Sequence, residues 1–318
     1  MSVYNAERYV REAVESILAQ TFTDFEFIIF DDGSTDRSTL ILRELAARDP
    51  RIRLTVRPNK GLTKTLNEAL VLARGELVAR MDCDDVALPE RLATQVEFLR
   101  RHDDVVCAGG YWQLIDGAGR LLTTIRPPTD DAEMQQLLLK GHSPLCHPLA
   151  TFRREAVMKL GGYDETFTTA QDVDLWLRLG EVGKLSNVPE VLLKFRLHES
   201  SVSETRRLEQ RRLSKLACER AWQRRGTSGT FEADEPWRPG RDRLSRHRYA
   251  MLYGWWAFNS GQRRTAAIYA LKAIRSMPLD RRGWLLLASA AIKGKPAASS
   301  ISTAAPAAPQ PPHRQEQL

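Results

Sequence analysis

Apolar residues in the first 80 positions switch repeatedly between two periods. From Glu7 to Leu18 the residues Val10, Ala13, Val14, Ile17 and Leu18 fall three and four apart, which predicts a helix with one buried face. Phe25–Phe30 is a near-continuous apolar run, the pattern of a strand covered on both faces. Helix Ser38–Arg48, strand Arg51–Val56 and helix Thr63–Arg74 follow. The last carries Leu66, Ala69, Leu70 and Ala73 on one face, and Gly75 closes it. Leu77-Val78-Ala79 opens the next strand. Met1–Val3 reads as the tail of an earlier strand, with Tyr4-Asn5 as the turn behind it. This alternation predicts an α/β fold with a mostly parallel central sheet. In such sheets ligands bind beyond the carboxyl ends of the strands.

Further along, the pattern predicts a helix over Glu90–Arg101 with Pro89 at its start, and strands at Val105–Ala108 and Tyr111–Ile115. A helix at Asp131–Lys140, a strand at His147–Phe152, a helix at Arg154–Leu160, apolar Val173–Leu179 and a last strand at Val188–Phe195 come next. Thr205–Arg225 reads as a basic helix, and Gly226–Gly240 as a loop. Arg243–Ser260, Thr265–Met277 and Trp284–Ile292 are helical, with small and aromatic residues in the manner of one tetratricopeptide-type hairpin. From Pro296 the chain is rich in Ala, Pro and Ser without a periodic apolar face, and is expected to be disordered. Three regions result: an α/β domain over 1–204, a small all-α region over 205–295 and a tail over 296–318.

Composition changes this picture little. Hydrophobic residues make up 42% and charged residues 27% of 318 positions, as in globular proteins. No apolar run reaches the 18 residues that a membrane-spanning helix needs. Cys83, Cys107, Cys146 and Cys218 show no metal-binding spacing. With no basic segment and apolar core at the N-terminus, they point to a reduced, cytoplasmic chain. The net charge is +7, and Glu204–Arg225 holds eight Arg or Lys against three Glu. That stretch suits peripheral contact with an anionic membrane at the inner face of the plasma membrane, or is a solvated helix face. Nucleic acid is not an expected partner.

The chemistry gathers at two acidic turns. Glu76–Leu88 runs from the fourth strand into Asp82, Asp84 and Asp85, three carboxylates within four positions. Carboxylates this close raise one another's pKa unless a cation sits among them. Hard divalent metals take oxygen ligands and commonly pair with substrate phosphates. The plain alternative is a solvated turn capping the next helix. Asp31-Asp32-Gly33-Ser34-Thr35-Asp36 follows the second strand and reads equally as a capping turn or a ligand site. Both turns fall on the same edge of the expected sheet. Asp172, likewise, is either a working carboxylate or an acid favoured by a helix N-terminus.

Six pieces in order make the first 205 residues resemble the family-2 glycosyltransferases, which have the GT-A fold. They are Ser2-Val3-Tyr4-Asn5, Asp31–Asp36, Asp82-Cys83-Asp84-Asp85 with Pro89, Gly161-Gly162-Tyr163-Asp164, Gln171-Asp172-Val173-Asp174-Leu175-Trp176, and Arg196-Leu197-His198-Glu199-Ser200-Ser201. The resemblance implies a metal-dependent inverting transfer from a nucleotide-sugar donor to a glycan or lipid-linked acceptor. It implies that Ser2, Tyr4, Asp31, Asp32, Asp82 and Gln171 line the donor and acceptor sites, with Tyr4 and Asp32 at the nucleotide base. Asp84 and His198 would hold Mn²⁺ or Mg²⁺, and Asp172 would be the general base. A competing expectation is an inactive GT-A scaffold that binds a membrane surface through its helical C-terminal region.

Two departures from the family pattern stand out. Gln171 replaces the Glu that many relatives carry before the base. The first strand, which lies centrally in the family's sheet, is reduced to Met1–Val3, and its neighbours' backbone groups would then lack partners. The expectation is therefore that the natural start lies upstream of Met1. An intact mass equal to that of the 318 residues would count against it.

Overall fold

The computed structural model describes residues 1–198, 207–232 and 242–292. The expectations at Glu199-Ser200-Ser201, in the second half of the Gly226–Gly240 loop and for the tail from Pro296 lie outside the described residues. The chain divides into two compact units, Met1–Gly119 with Thr124–Ala233, and Arg120–Thr123 with Asp234–Leu318.

In the first unit β1 (Ser2–Val3), β2 (Phe27–Asp32) and β3 (Ile52–Arg57) form a parallel sheet in that order. Ser2 pairs with Phe30 and Val3 with Asp31, so the chain leaves β1 beside Asp31-Asp32. Helices α1 (Val10–Leu18), α2 (Ser38–Arg48) and α3 (Leu62–Leu72) follow these strands. Val10, Ala13, Val14 and Ile17 are the buried face of α1, as their spacing requires.

A second sheet runs β4 (Leu77–Ala79), β8 (Thr151–Arg153), β6 (Val105–Asp116), β9 (Lys184–Leu197), β5 (Val86–Ala87). β6 and β9 are parallel; β4–β8, β6–β8 and β5–β9 are antiparallel. Leu121–Ile125 is a further strand, β7. Helices α4 (Arg91–Arg101), α5 (Asp131–Leu139), α6 (Arg154–Lys159) and α7 (Gln171–Leu179) complete the α/β part.

Two strand expectations need correction. Val105–Ala108 and Tyr111–Ile115 are one strand. Pairing with β9 carries the strand through Gly109 and Gly110, where a Cβ would come within 2.2 Å of Asn187 and 2.9 Å of Leu192. His147–Phe152 is split into a 3-10 turn at His147–Leu149 and the short β8. Pro148 has no N–H to give a ladder.

The main core gathers Leu66, Phe152, Phe167, Trp176, Leu179 and Leu185 from strands and helices of both chain halves. Trp176 is fully buried, edge-on to His147 and tilted against Phe152. Truncating such a ring to Ala costs about 3–5 kcal/mol.

The basic stretch is helix α8 (Arg207–Arg224). Leu213, Ala217, Cys218 and Ala221 are buried in the main core. Trp222 Nε1 donates to Leu139 O at 3.1 Å, and Arg225 donates to Gln135 and Leu177 O. Arg220 pairs with Asp164 and Arg224 with Glu181. Three of the eight cationic residues read from the sequence, Arg220, Arg224 and Arg225, therefore fasten α8 to α5, α7 and the turns beside them.

The second unit contains α9 (Arg243–Asn259), α10 (Arg263–Ser276) and α11 (Arg281–Ile292). Ala257, Phe258, Ala266, Ala270, Leu286 and Ala290 form its core. Small residues at these contacts let the helices approach closely. Buried His247 ties the bundle together, with Nδ1 to Ala273 O at 3.0 Å and Nε2 to Asp280 at 2.9 Å. Among the described residues, no helix is long and apolar enough to cross a membrane.

Candidate active site

Loop locking explains why the first two turns sit where they do. Asn5 adopts a left-handed φ of 51°, which Asn tolerates better than most residues. Its Oδ1 accepts the Thr35 N–H at 2.8 Å, and its own N–H donates to Ser34 Oγ at 3.0 Å. Gly33 has φ 85°, and a Cβ there would meet Asn59 N at 2.7 Å. The turns after β1 and β2 thus form one rigid corner.

Asp31 is wholly buried in that corner. Its carboxylate accepts from Ser34 N–H and from the Thr39 hydroxyl. This geometry makes it a brace for the turn, with both oxygens engaged inside the chain. Asp32 is nearly as buried. Its Oδ1 accepts the Lys60 N–H at 3.1 Å and lies 3.2 Å from Arg57, and its Oδ2 accepts the Gly61 N–H at 2.9 Å. It therefore sits at the N-terminus of α3, where backbone donors favour an anion. Each oxygen keeps acceptor capacity for another donor. Ser2 is half-buried within β1, whereas Tyr4 is 54% exposed. The Tyr4 backbone N–H reaches the thiol of Cys83, which joins this corner to the second acidic turn.

The second turn differs in kind. Ligand oxygens of Asp82, Asp84 and Asp85 lie within 4.8 Å of one another. Burial and then repulsion from Asp84 and Asp82 push the Asp85 carboxyl well above the carboxylate range. Burial also raises Asp82; Arg80 opposes this and Asp84 adds to it. Asp85 Oδ1 accepts the Arg196 N–H at 2.8 Å, but its buried Oδ2 has no partner. His198 follows β9 directly, and its Nε2 lies 2.7 Å from Asp84 Oδ2. Arg196 donates to the Asp84 carbonyl at 2.7 Å and pairs with Glu12 at 2.6 Å, which holds the end of β9 over the turn. An orphaned oxygen among three crowded carboxylates, with an imidazole in reach, suits an oxygen-seeking divalent cation.

Asp172 is the second residue of α7. The helix begins after Ala170, whose φ of 57° is strained for a residue with a Cβ. Burial raises the Asp172 carboxyl, opposed by the N–H groups of Val173 and Asp172 and by Arg80; Asp82 adds to the rise. Gln171 beside it is buried. Asp174 is structural: it pairs with Arg178 at 2.6 Å, and Arg178 Nη1 donates to the Gly162 carbonyl at 2.9 Å. The Gly161–Asp164 turn is held further by Asn67, which exchanges hydrogen bonds of 2.8 and 2.9 Å with the Tyr163 backbone.

Sequence reasoning missed Arg80. It is 6% exposed, is ion-paired with Asp82, and is felt electrostatically by Asp172, Tyr163, Asp85 and His147. It joins the acidic turn to the Asp172 helix. The available signal was an arginine between the apolar strand and its acidic turn. Arg57, Lys60 and Gly61 were missed as well, because partners of Asp32 some 25–29 residues away have no local pattern. The His147–Tyr163 contact, 3.0 Å between Nε2 and the hydroxyl, was also invisible.

Fold and acidic turn together define a glycosyltransferase of the GT-A type. The chain belongs to glycosyl transferase family 2, whose model matches residues 1–161. It is 37% identical over 205 residues to glycosyltransferase EpsE of Bacillus subtilis, covering 62% of this chain and 71% of EpsE. It is 31% identical over 209 residues to the O-antigen biosynthesis glycosyltransferase WbnJ of Escherichia coli, covering 64% and 81% of the two chains. Among solved structures, S. aureus TarS 1–349 in complex with UDP-GlcNAc aligns with TM-score 0.51 at 18% identity over 91% of this chain and 85% of that one. Mannosyltransferase PcManGT of Pyrobaculum calidifontis, in complex with GDP-Man and Mn²⁺, aligns with TM-score 0.51 at 20% identity over 91% and 78%. The chain spans 54% of the longer TarS structure. These structural likenesses establish the fold.

Proposed function

We propose that the protein is a metal-dependent, inverting glycosyltransferase of surface polysaccharide synthesis, moving a sugar from a nucleotide-sugar donor to a glycan or lipid-linked acceptor. The observation that carries this reading is the crowded Asp82–Asp84–Asp85 turn joined through Arg80 to Asp172. Asp84 and His198, with Asp85 beside them, would hold Mn²⁺ or Mg²⁺, and Asp82 would accept from the donor's ribose. When bound, the cation neutralises charge on the departing diphosphate as a Lewis acid. Asp32 accepts from the base N–H, with Ser2 and Asp31 shaping that corner and exposed Tyr4 against the base. Gln171 faces the donor or acceptor sugar. Asp172 takes the proton of the acceptor hydroxyl, and its raised pKa suits that task. Attack opposite the diphosphate in a single displacement inverts the anomeric centre.

Work at the cytoplasmic face of a membrane, on a lipid-linked acceptor, agrees with the cationic balance of the chain. The names of WbnJ and of the amylovoran biosynthesis glycosyltransferase AmsE, 30% identical over 213 residues, support a polysaccharide product. The test is hydrolysis of UDP-, GDP- and dTDP-sugars with Mn²⁺ by wild type, Asp84→Ala and Asp172→Asn. Loss in both variants is expected; equal rates in all three would end the assignment.

A further inference from the structure

The second unit carries a surface that its own packing leaves unexplained. Helix α11 buries Gly283, Leu286, Ser289 and Ala290 against the bundle. A helix that buries one face normally presents polar residues on the other. Here the outward face is Trp284, Leu285, Ala288, Ala291 and Ile292, which share it at helical spacing with Arg281. Trp284 is 54%, Leu285 60% and Ile292 81% exposed, and Leu279 just before the helix is almost fully so. The Trp284 indole N–H is satisfied by the Pro278 carbonyl at 3.0 Å. The helix is apolar nearly all round, yet only half of it is covered.

Charge names the partner. Residues 242–292 hold nine Arg or Lys and two Asp, a net +7 that equals the formal charge of the whole chain. Both acids are engaged: Asp242 accepts the Ser245 N–H, and Asp280 accepts from Arg282 and His247. Arg264, Arg275 and Arg281 have no acidic partner among the described residues. An apolar stripe of Trp, Leu and Ile on a strongly cationic bundle matches an anionic bilayer. Apolar side chains enter the headgroup boundary, Trp favours the interface, and arginines meet lipid phosphates. Nucleic acid would satisfy the arginines but offer nothing to Leu279, Leu285 and Ile292.

We propose that the exposed face of α11, with the arginines of its bundle, docks the protein on an anionic membrane. This rests on the reading of a membrane-linked acceptor, and it moves the contact from α8 to the second unit. The geometry assigns Trp284, Leu285 and Ile292 to insertion and Arg281 on the same face to headgroup contact, while the net charge of the unit, Arg264 and Arg275 included, supplies the longer-range attraction.

Sedimentation of the full chain with phosphatidylcholine vesicles, with and without phosphatidylglycerol, tests this. Binding is expected only with phosphatidylglycerol and should weaken as salt rises. Leu285→Glu with Ile292→Glu should weaken binding by about tenfold or more, since both positions face outward. Arg211→Glu with Arg212→Glu on α8 should change it little. No binding, binding indifferent to the α11 pair, or binding lost through the α8 pair would each overturn the proposal. So would two other outcomes. In one, a dimer forms without vesicles and dissociates in the α11 double variant, which assigns the face to a second copy. In the other, vesicles bind only after residues 296–318 are removed, which assigns it to the chain's own tail. Donor hydrolysis without vesicles separates this from the catalytic reading: the α11 variants should keep it, and Asp84→Ala should lose it while still sedimenting.

Discussion

Two acidic strand ends lie in the same unit and look alike in sequence, yet they are in opposite electrostatic states. At Asp31-Asp32 the carboxylates meet two backbone N–H groups at the start of α3, another N–H, the Thr39 hydroxyl and Arg57. At Asp82–Asp85 three carboxylates meet each other, with Arg80, His198 and the Arg196 N–H as partners and one buried oxygen unmatched. The first turn is finished by the chain itself. The second is stable only at a cost, which a ligand of opposite charge would remove. Acidic residues past a strand therefore say little until their partners are counted.

The largest effect should come from Asp172→Asn, which keeps the shape of the α7 N-terminus but removes the carboxylate proposed as the base. We expect donor turnover to an acceptor to fall about 10²–10⁴-fold, with thermal stability nearly unchanged. The acid limb of the wild-type rate profile should lie above the ordinary carboxylate range, because burial raises the Asp172 pKa and the charged form is the working one. A steady-state pH profile checks both.

Asp84→Ala should cost about 10²–10³-fold in Mn²⁺-dependent turnover, comparable to loss of one strong electrostatic group at a reacting centre. It should also abolish stabilisation of the metal-free protein by Mn²⁺. In wild type that stabilisation amounts to about 2.7 kcal/mol at a hundredfold excess over the dissociation constant. Thermal melts with and without Mn²⁺ read this directly. A variant that still gains stability from Mn²⁺ would remove the metal from this turn.

The two turns should answer oppositely to neutralisation. Asp31→Ala leaves the partly buried Ser34 N–H and Thr39 hydroxyl without this partner and should destabilise by about 1–3 kcal/mol. Asp85→Asn removes the possibility of a third negative charge in the turn and should leave metal-free stability equal or higher. Denaturant melts of the two variants side by side decide whether the contrast holds.

The smallest effect concerns pH. Burial and mutual repulsion hold the Asp82 and Asp85 carboxyls above the ordinary Asp value of 3.8. Between that value and the raised ones the native chain binds more protons than the unfolded chain. These two groups therefore make metal-free stability decline as pH rises through the window. Saturating Mn²⁺ should flatten this slope. Melting temperatures between about pH 4 and pH 7, with and without the metal, measure it.

Much of the fold was legible because local periodicity survives folding. The apolar stripe of α1 and the near-continuous run ending in β2 predict their own burial. Strand limits failed where a contact from elsewhere decided them. The ladder to β9 runs through Gly109-Gly110, and Pro148 breaks the expected strand before β8. Among the site residues, Asp84 and His198 are brought to 2.7 Å across 114 positions. Tyr4 and Asp32 reach neighbouring strand ends through the β1–β2 register.

By itself the sequence determined the alternation of elements, the two acidic turns and the six ordered pieces of the family, since each is written in neighbouring residues. Only the tertiary structure decided which acids are satisfied and which are not, that buried Arg80 joins the second acidic turn to Asp172, that Arg220, Arg224 and Arg225 fasten α8 to the α/β unit, and that α11 keeps an apolar face outward. Those properties depend on distance and burial between residues far apart in the chain, and electrostatic energy is set by that geometry alone.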